Sequence, residues 1–233
     1  MGYETDLPRK MVAEFLGTMG LIIAVIGSVM LVDLKFDSSE PVFNALVQGL
    51  AGFLVLFAMI EALGKISGGH FNPAVTLAMI ATKDTKAATG AFYMVAQVFG
   101  GLAGVFLLNI SFIGSGVDSV LLISENALAS NYIVLSEVLC TFLLVAVVFG
   151  CVRSGSNKTS LAVGATVGGL IMVTSSTFYA NPAVDLARMF AQSADGIEPL
   201  TAAYFIIAAI IGALIAAGVF SWLYPKDKPT DTE

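Results

Sequence analysis

Ser67-Gly68-Gly69-His70-Phe71-Asn72-Pro73-Ala74-Val75-Thr76 interrupts an otherwise apolar chain, and its second half returns as Asn181-Pro182-Ala183-Val184-Asp185. Asn is a favoured helix N-cap, and Pro suits the first helical position, where its missing N–H would be unpaired anyway. Each triplet therefore marks the start of a helix. A given triplet arises by chance about 0.03 times in a chain of this length, so two copies at matching places are not a coincidence. The apolar stretches that follow, 75–81 and 184–191, are too short to cross a bilayer, which takes about 20 helical residues. Both read as half-length helices.

The rest of the chain is built for lipid. Of its 233 residues 57% are hydrophobic and 12% charged, with a mean hydropathy of +0.89. A soluble domain carries about 25% charged residues, so this chain cannot cover a water-exposed surface. Six segments are long enough to span, near 11–32, 42–63, 87–110, 131–152, 159–178 and 199–223. The balance of 17 acids against 11 bases leaves a net charge of −6 and no basic stretch, which excludes nucleic-acid binding and disorder. No small-residue cleavage site follows the N-terminus, so 15–32 reads as a retained span. Cys140 and Cys151, on one helix, lie too far apart to bridge.

Nine of the eleven basic residues (Arg9, Lys10, Lys65, Lys83, Lys86, Arg153, Lys158, Lys226 and Lys228) fall on one side, leaving Lys35 and Arg188 opposite. The positive-inside bias puts both termini in the cytoplasm. Ala13-Glu14-Phe15-Leu16-Gly17-Thr18 in the first span parallels Ser136-Glu137-Val138-Leu139-Cys140-Thr141 in the fourth. Each half, about 9–112 and 131–224, thus holds three crossings and one Asn-Pro-Ala half-helix. Three is odd, so the second half is inverted. The half-helices enter from opposite faces of a single channel domain and meet near the midplane.

On the Ser67–Thr76 loop, the second triplet, the paired Glu-x-x-x-Thr motifs and the Gln97…Gly101 stretch, the chain resembles the major intrinsic proteins, the aquaporin and glycerol-facilitator family, over about residues 9–224. The resemblance implies an all-α, right-handed bundle of six helices and two half-helices, one pore per protomer, and a homotetramer in the plasma (cell inner) membrane. It implies no cofactor. The expected function is passive passage of water and small neutral solutes, glycerol-like molecules and undissociated metalloid acids among them.

In such a pore Gly68 and Gly69 expose successive carbonyls to the solute, and His70, the only histidine, borders the lumen. No Cys/His/acid cluster offers a metal site. Asn72, Pro73, Ala74, Asn181, Pro182 and Ala183 set two converging helix N-termini, each worth about +0.5 charge, against cations. Both asparagine amides are expected to donate to the solute. The resemblance makes Glu14 and Glu137 buttresses that accept backbone N–H groups of the loops. Glu61 stands where the family is usually apolar, with no evident role.

The outer filter carries over by spacing to Gly52, Gly169, Phe178 and Val184. The last is ordinarily arginine, so the filter is expected to be wide and apolar, with Phe178 its only bulky wall. Asp185 is a residue common among glycerol-conducting members. Arg188, four residues past Val184 and within about 40° of its direction on a helix, is expected in the outer vestibule, or in an ion pair with Asp185, Asp195 or Glu198. Two other classes share some of these features. A secondary transporter uses inverted repeats and broken helices but needs paired intramembrane charges, and no Lys or Arg faces the glutamates within the spans. An intramembrane enzyme needs a nucleophile–base pair or a metal cluster, and the sequence offers neither.

Overall fold

Five of the eight helices in the computed structural model, which describes residues 6–36, 40–128 and 130–225, carry proline in their first turn. They are α1 Leu7–Met30, α2 Pro41–Ser67, the half-helix α3 Pro73–Ala81, the second half-helix α7 Pro182–Arg188, and α8 Pro199–Leu223. The other three are α4 Ala87–Ser111, α5 Asn131–Arg153 and α6 Thr159–Val173. Side chains cap where the first turn leaves N–H groups open: Asp6 accepts from Arg9 N and Ser130 from Ile133 N. A π-helical turn, Leu31–Lys35, extends α1. Its Asp33 accepts from Asn44 Nδ2 at 3.0 Å and from Ala194 N at 2.8 Å, tying α1 to α2 and to the loop after α7.

Among the described residues, five helices are long and apolar enough to cross a membrane. The sixth expected span, 159–178, is shorter. Helix α6 stops at Val173, after 15 residues, about 22 Å of rise. The reason is local: Thr174 turns extended, and its hydroxyl donates back to Leu170 O at 2.6 Å, the kind of side-chain bond that competes with helix propagation. Thr177, Phe178 and Ala180 then adopt positive φ, so the chain descends to Asn181 as irregular backbone. The second half-helix ends at Arg188 rather than 191, because Phe190 N and Ala191 N turn back to Ala187 O and Arg188 O. Conversely, α2 runs through Ser67, so the break before Asn72 is only four residues, opened by Gly68 at φ 101°. Lys226 and Lys228 lie outside the described residues.

Close helix contact in a membrane depends on small residues, and two glycines show it. A Cβ on Gly100 of α4 would lie 2.3 Å from Phe15 O of α1, and one on Gly212 of α8 would lie 2.3 Å from Val138 O of α5. Phe15 and Val138 each follow one of the repeated glutamates, so the same crossing recurs in both halves. The half-helices are exchanged between them: α3 packs against α8 as well as α4, and α7 packs against α4 as well as α8.

Candidate functional site

The two asparagines bind each other's loops. Asn72 Oδ1 accepts from Ala74 N at 2.8 Å, capping its own helix, while its Nδ2 donates to Ala180 O at 2.8 Å. Asn181 does the reverse, accepting from Ala183 N at 3.0 Å and donating to Phe71 O at 3.0 Å. The two acceptors, Phe71 and Ala180, immediately precede the asparagines and have φ of 49° and 44°. Such left-handed backbone in a residue with a side chain is strained and persists only where its surroundings hold it. Pro73, Ala74, Pro182 and Ala183 are all buried at the junction. A primary amide has two N–H bonds, so each asparagine keeps one beyond the crossing bond, and both line a cavity of about 330 Å³.

Two carboxylates hold the loops. Glu14 Oε1 accepts from Ser67 Oγ at 2.6 Å and His70 N at 3.0 Å; its Oε2 accepts from Phe71 N and from Gln97 Nε2, both at 2.7 Å. Glu137 accepts from Tyr179 N at 3.0 Å and Ala180 N at 2.6 Å. Buried charge is tolerable when its lone pairs are met by donors. Gln97 Nε2 also reaches Thr76 Oγ1 at 2.9 Å, which faces His70 Nδ1 at 3.0 Å. Gly68, Gly69 and His70 line the cavity, and the imidazole stands edge-on to Tyr93. Glu61 gains an account: it accepts from Ser160 Oγ across to the first turn of α6.

The cavity runs from the turn at Asp84 and Thr85, past the asparagines, to Phe178, Val184 and Arg188. Its walls come from residues the sequence did not single out. Leu21 and Val25 of α1, and Leu56 and Ile60 of α2, form one side; Leu144, Val148 and Val152 of α5 form another. On α6 the wall is Val163, Val167 and Ile171. Every stripe advances by four residues, the near-repeat of a helix face.

Gly169 is therefore misassigned by spacing. It lies on the opposite side of α6 from Val167 and Ile171, is exposed, and a Cβ there would meet nothing within 4 Å. The α6 residue that lines the cavity near this position is Ile171, two residues on, in register with Val163 and Val167. Gly52 is buried, but its space is taken: a Cβ there would stand 3.2 Å from both Val25 Cγ1 and Ile171 Cδ1. At the Arg188 end the cavity is walled by Val25, Ile171, Phe178 and Val184, all 5% exposed or less. Arg188 is not in an open vestibule. It is 1% exposed, its Nη1 2.5 Å from Asp195 Oδ1.

The class these features define is an integral membrane protein of broken helices around a shared cavity. The chain belongs to the major intrinsic protein family, whose model matches residues 3–194. It is similar to "Aquaglyceroporin AqpS" of Rhizobium meliloti (strain 1021), at 34% identity covering 97% of this chain and 94% of that protein. It is also similar to "Aquaporin-5" of Ovis aries, at 29% identity covering 92% and 80%. Among solved structures, the aquaglyceroporin from Plasmodium falciparum shares the fold, with a TM-score of 0.70 at 22% identity over 95% of this chain and 96% of that one.

Proposed function

We propose that this chain is a passive channel for water and small neutral solutes of the glycerol class. The observation that carries the reading is the reciprocal asparagine crossing inside the cavity: two helix N-termini meet there, and each keeps an N–H for the lumen. Converging positive helix ends oppose cations, while donors on otherwise aliphatic walls suit a neutral hydroxylated molecule and compensate a dehydrated ion poorly. The aquaglyceroporin and aquaporin names of its relatives agree with this class.

In this reading Asn72 and Asn181 make the central contacts, Gly68, Gly69 and His70 line the Asp84 end, and Phe178 and Val184 wall the opposite constriction. Glu14 and Glu137 buttress the loops. The whole chain is one channel domain of two inverted halves, with both termini cytoplasmic in a plasma (cell inner) membrane, assembled as a homotetramer. The test is light scattering of proteoliposomes challenged with water, glycerol and larger polyols without an ion gradient. Swelling rates above those of empty vesicles are expected for water and glycerol. Rates equal to empty vesicles would reject the channel.

A further inference from the structure

Two of the filter positions carried over by spacing, Gly52 and Val184, lack polar side chains, and each has a polar residue one helical turn farther from the asparagines. On α7 it is Arg188, four residues after Val184; on α2, which runs toward the asparagines, it is Gln48, four residues before Gly52. A four-residue step advances about 6 Å and returns to within about 40° of the same face.

The two displaced residues meet through Asp195. Arg188 Nη1 donates to Asp195 Oδ1 at 2.5 Å, and Gln48 Nε2 lies 3.1 Å from each Asp195 oxygen and 3.0 Å from Val25 O. Arg188, Gln48 and Asp195 are 1%, 3% and 6% exposed. The Arg188 guanidinium carbon stands 3.9 Å over the Tyr179 ring. The side chain thus packs against the loop that carries Phe178. Arg188 lines the cavity, yet its buried Nε has no hydrogen-bond partner among the described residues. A buried donor left open is costly unless what passes it can accept a hydrogen bond.

We infer that Arg188 is the fixed charge and donor of a polar filter tier displaced one helical turn outward from positions 52 and 184, and that Asp195 and Gln48 position it. The inference rests on the channel reading above. The guanidinium contacts the solute; the other two hold its plane. The tier is stacked on the aliphatic and aromatic ring of Val25, Ile171, Phe178 and Val184, so polarity and width are set at different heights. That separation suits neutral solutes that accept a hydrogen bond and are broader than water. Removing Arg188 deletes the donor and also leaves the Asp195 carboxylate unpaired near the mouth, where it attracts cations.

The test uses the full chain in proteoliposomes, with scattering for water and glycerol and an entrapped potassium dye for leak. Arg188→Ala should raise leak and shift the glycerol-to-water ratio by about tenfold, the scale of a lost charge-assisted hydrogen bond. Val184→Arg/Arg188→Ala, which moves the arginine one turn inward, should restore cation exclusion while cutting glycerol far more than water. Gln48→Ala should move the ratio in the direction of Arg188→Ala but less; a merely structural Gln48 would change the yield of folded protein and leave the ratio alone. If Arg188→Ala does not fold, Arg188→Gln, which removes the charge but keeps an N–H, should still raise leak. A monodisperse, normally reconstituted Arg188 variant with unchanged leak and ratio overturns the inference. A wild-type chain with no flux overturns the channel reading instead.

Discussion

At the scale of single residues, the two buttressing carboxylates are unequal. Glu14 accepts from four donors, and Glu137 from the backbone N–H groups of Tyr179 and Ala180 with the Ser176 hydroxyl as a third partner. An amide replacement turns one acceptor oxygen into a donor facing N–H groups, and each orphaned buried donor costs about 1–3 kcal/mol. Glu14→Gln should therefore lower the thermal midpoint in detergent more than Glu137→Gln; equal shifts would mean that Ser67 and Gln97 together contribute no more than Ser176. The asparagines make a sharper case. In Asn72→Asp or Asn181→Asp a carboxylate oxygen faces a carbonyl now 2.8 or 3.0 Å away, and its charge cancels the converging dipoles. Both variants should lose neutral-solute flux and gain cation leak at equal membrane abundance, read by scattering and by electrical recording. Preserved flux and ion exclusion in either one would remove the pair from the centre of the pathway.

At the scale of elements, glycine contacts divide into those that fix the bundle and those that do nothing. Gly100→Ala and Gly212→Ala would drive a Cβ into a carbonyl oxygen at 2.3 Å, an overpacking that costs about 1–3 kcal/mol or more. Gly169→Ala meets nothing within 4 Å and should leave both melting and solute flux as they are, whereas Ile171→Ala, on the cavity wall, should speed larger polyols. A flux change in Gly169→Ala would return the filter to its spacing-based position. These elements also show what the sequence could and could not tell. The half-helices were legible because Asn-Pro-Ala is a local signal whose capping chemistry lies within three residues. Glu14 and Glu137 stood out because an acid inside a span is rare. The lumen walls were hidden: Val163, Val167 and Ile171 recur at the spacing of a helix face, but on a helix apolar all round that stripe has no contrast. The end of α6 depends on Thr174 bonding back to Leu170, a competition that composition does not reveal. Gln48 and Arg188 meet only through Asp195, 147 residues from the first of them along the chain, and no local pattern reports such a contact.

At the scale of the whole molecule, the exchange of half-helices decides between a channel and a coupled transporter. Alternating access in an inverted-repeat protein moves one half against the other around a fixed site. Here each half-helix is held by the opposite half: α3 packs on α8, α7 packs on α4, and the Asn72–Ala180 and Asn181–Phe71 bonds cross between the halves in both directions. Separating the halves would break both crossing bonds at once and expose Phe71 and Ala180, each 0% exposed, together with the strained backbone they carry. The buried glutamates are held by backbone N–H groups and neutral side chains. Glycerol flux should therefore rise linearly with concentration to high values, run equally in both directions, and persist when proton and sodium gradients are collapsed with ionophores. Saturation at low concentration together with dependence on either gradient would show that the halves do part.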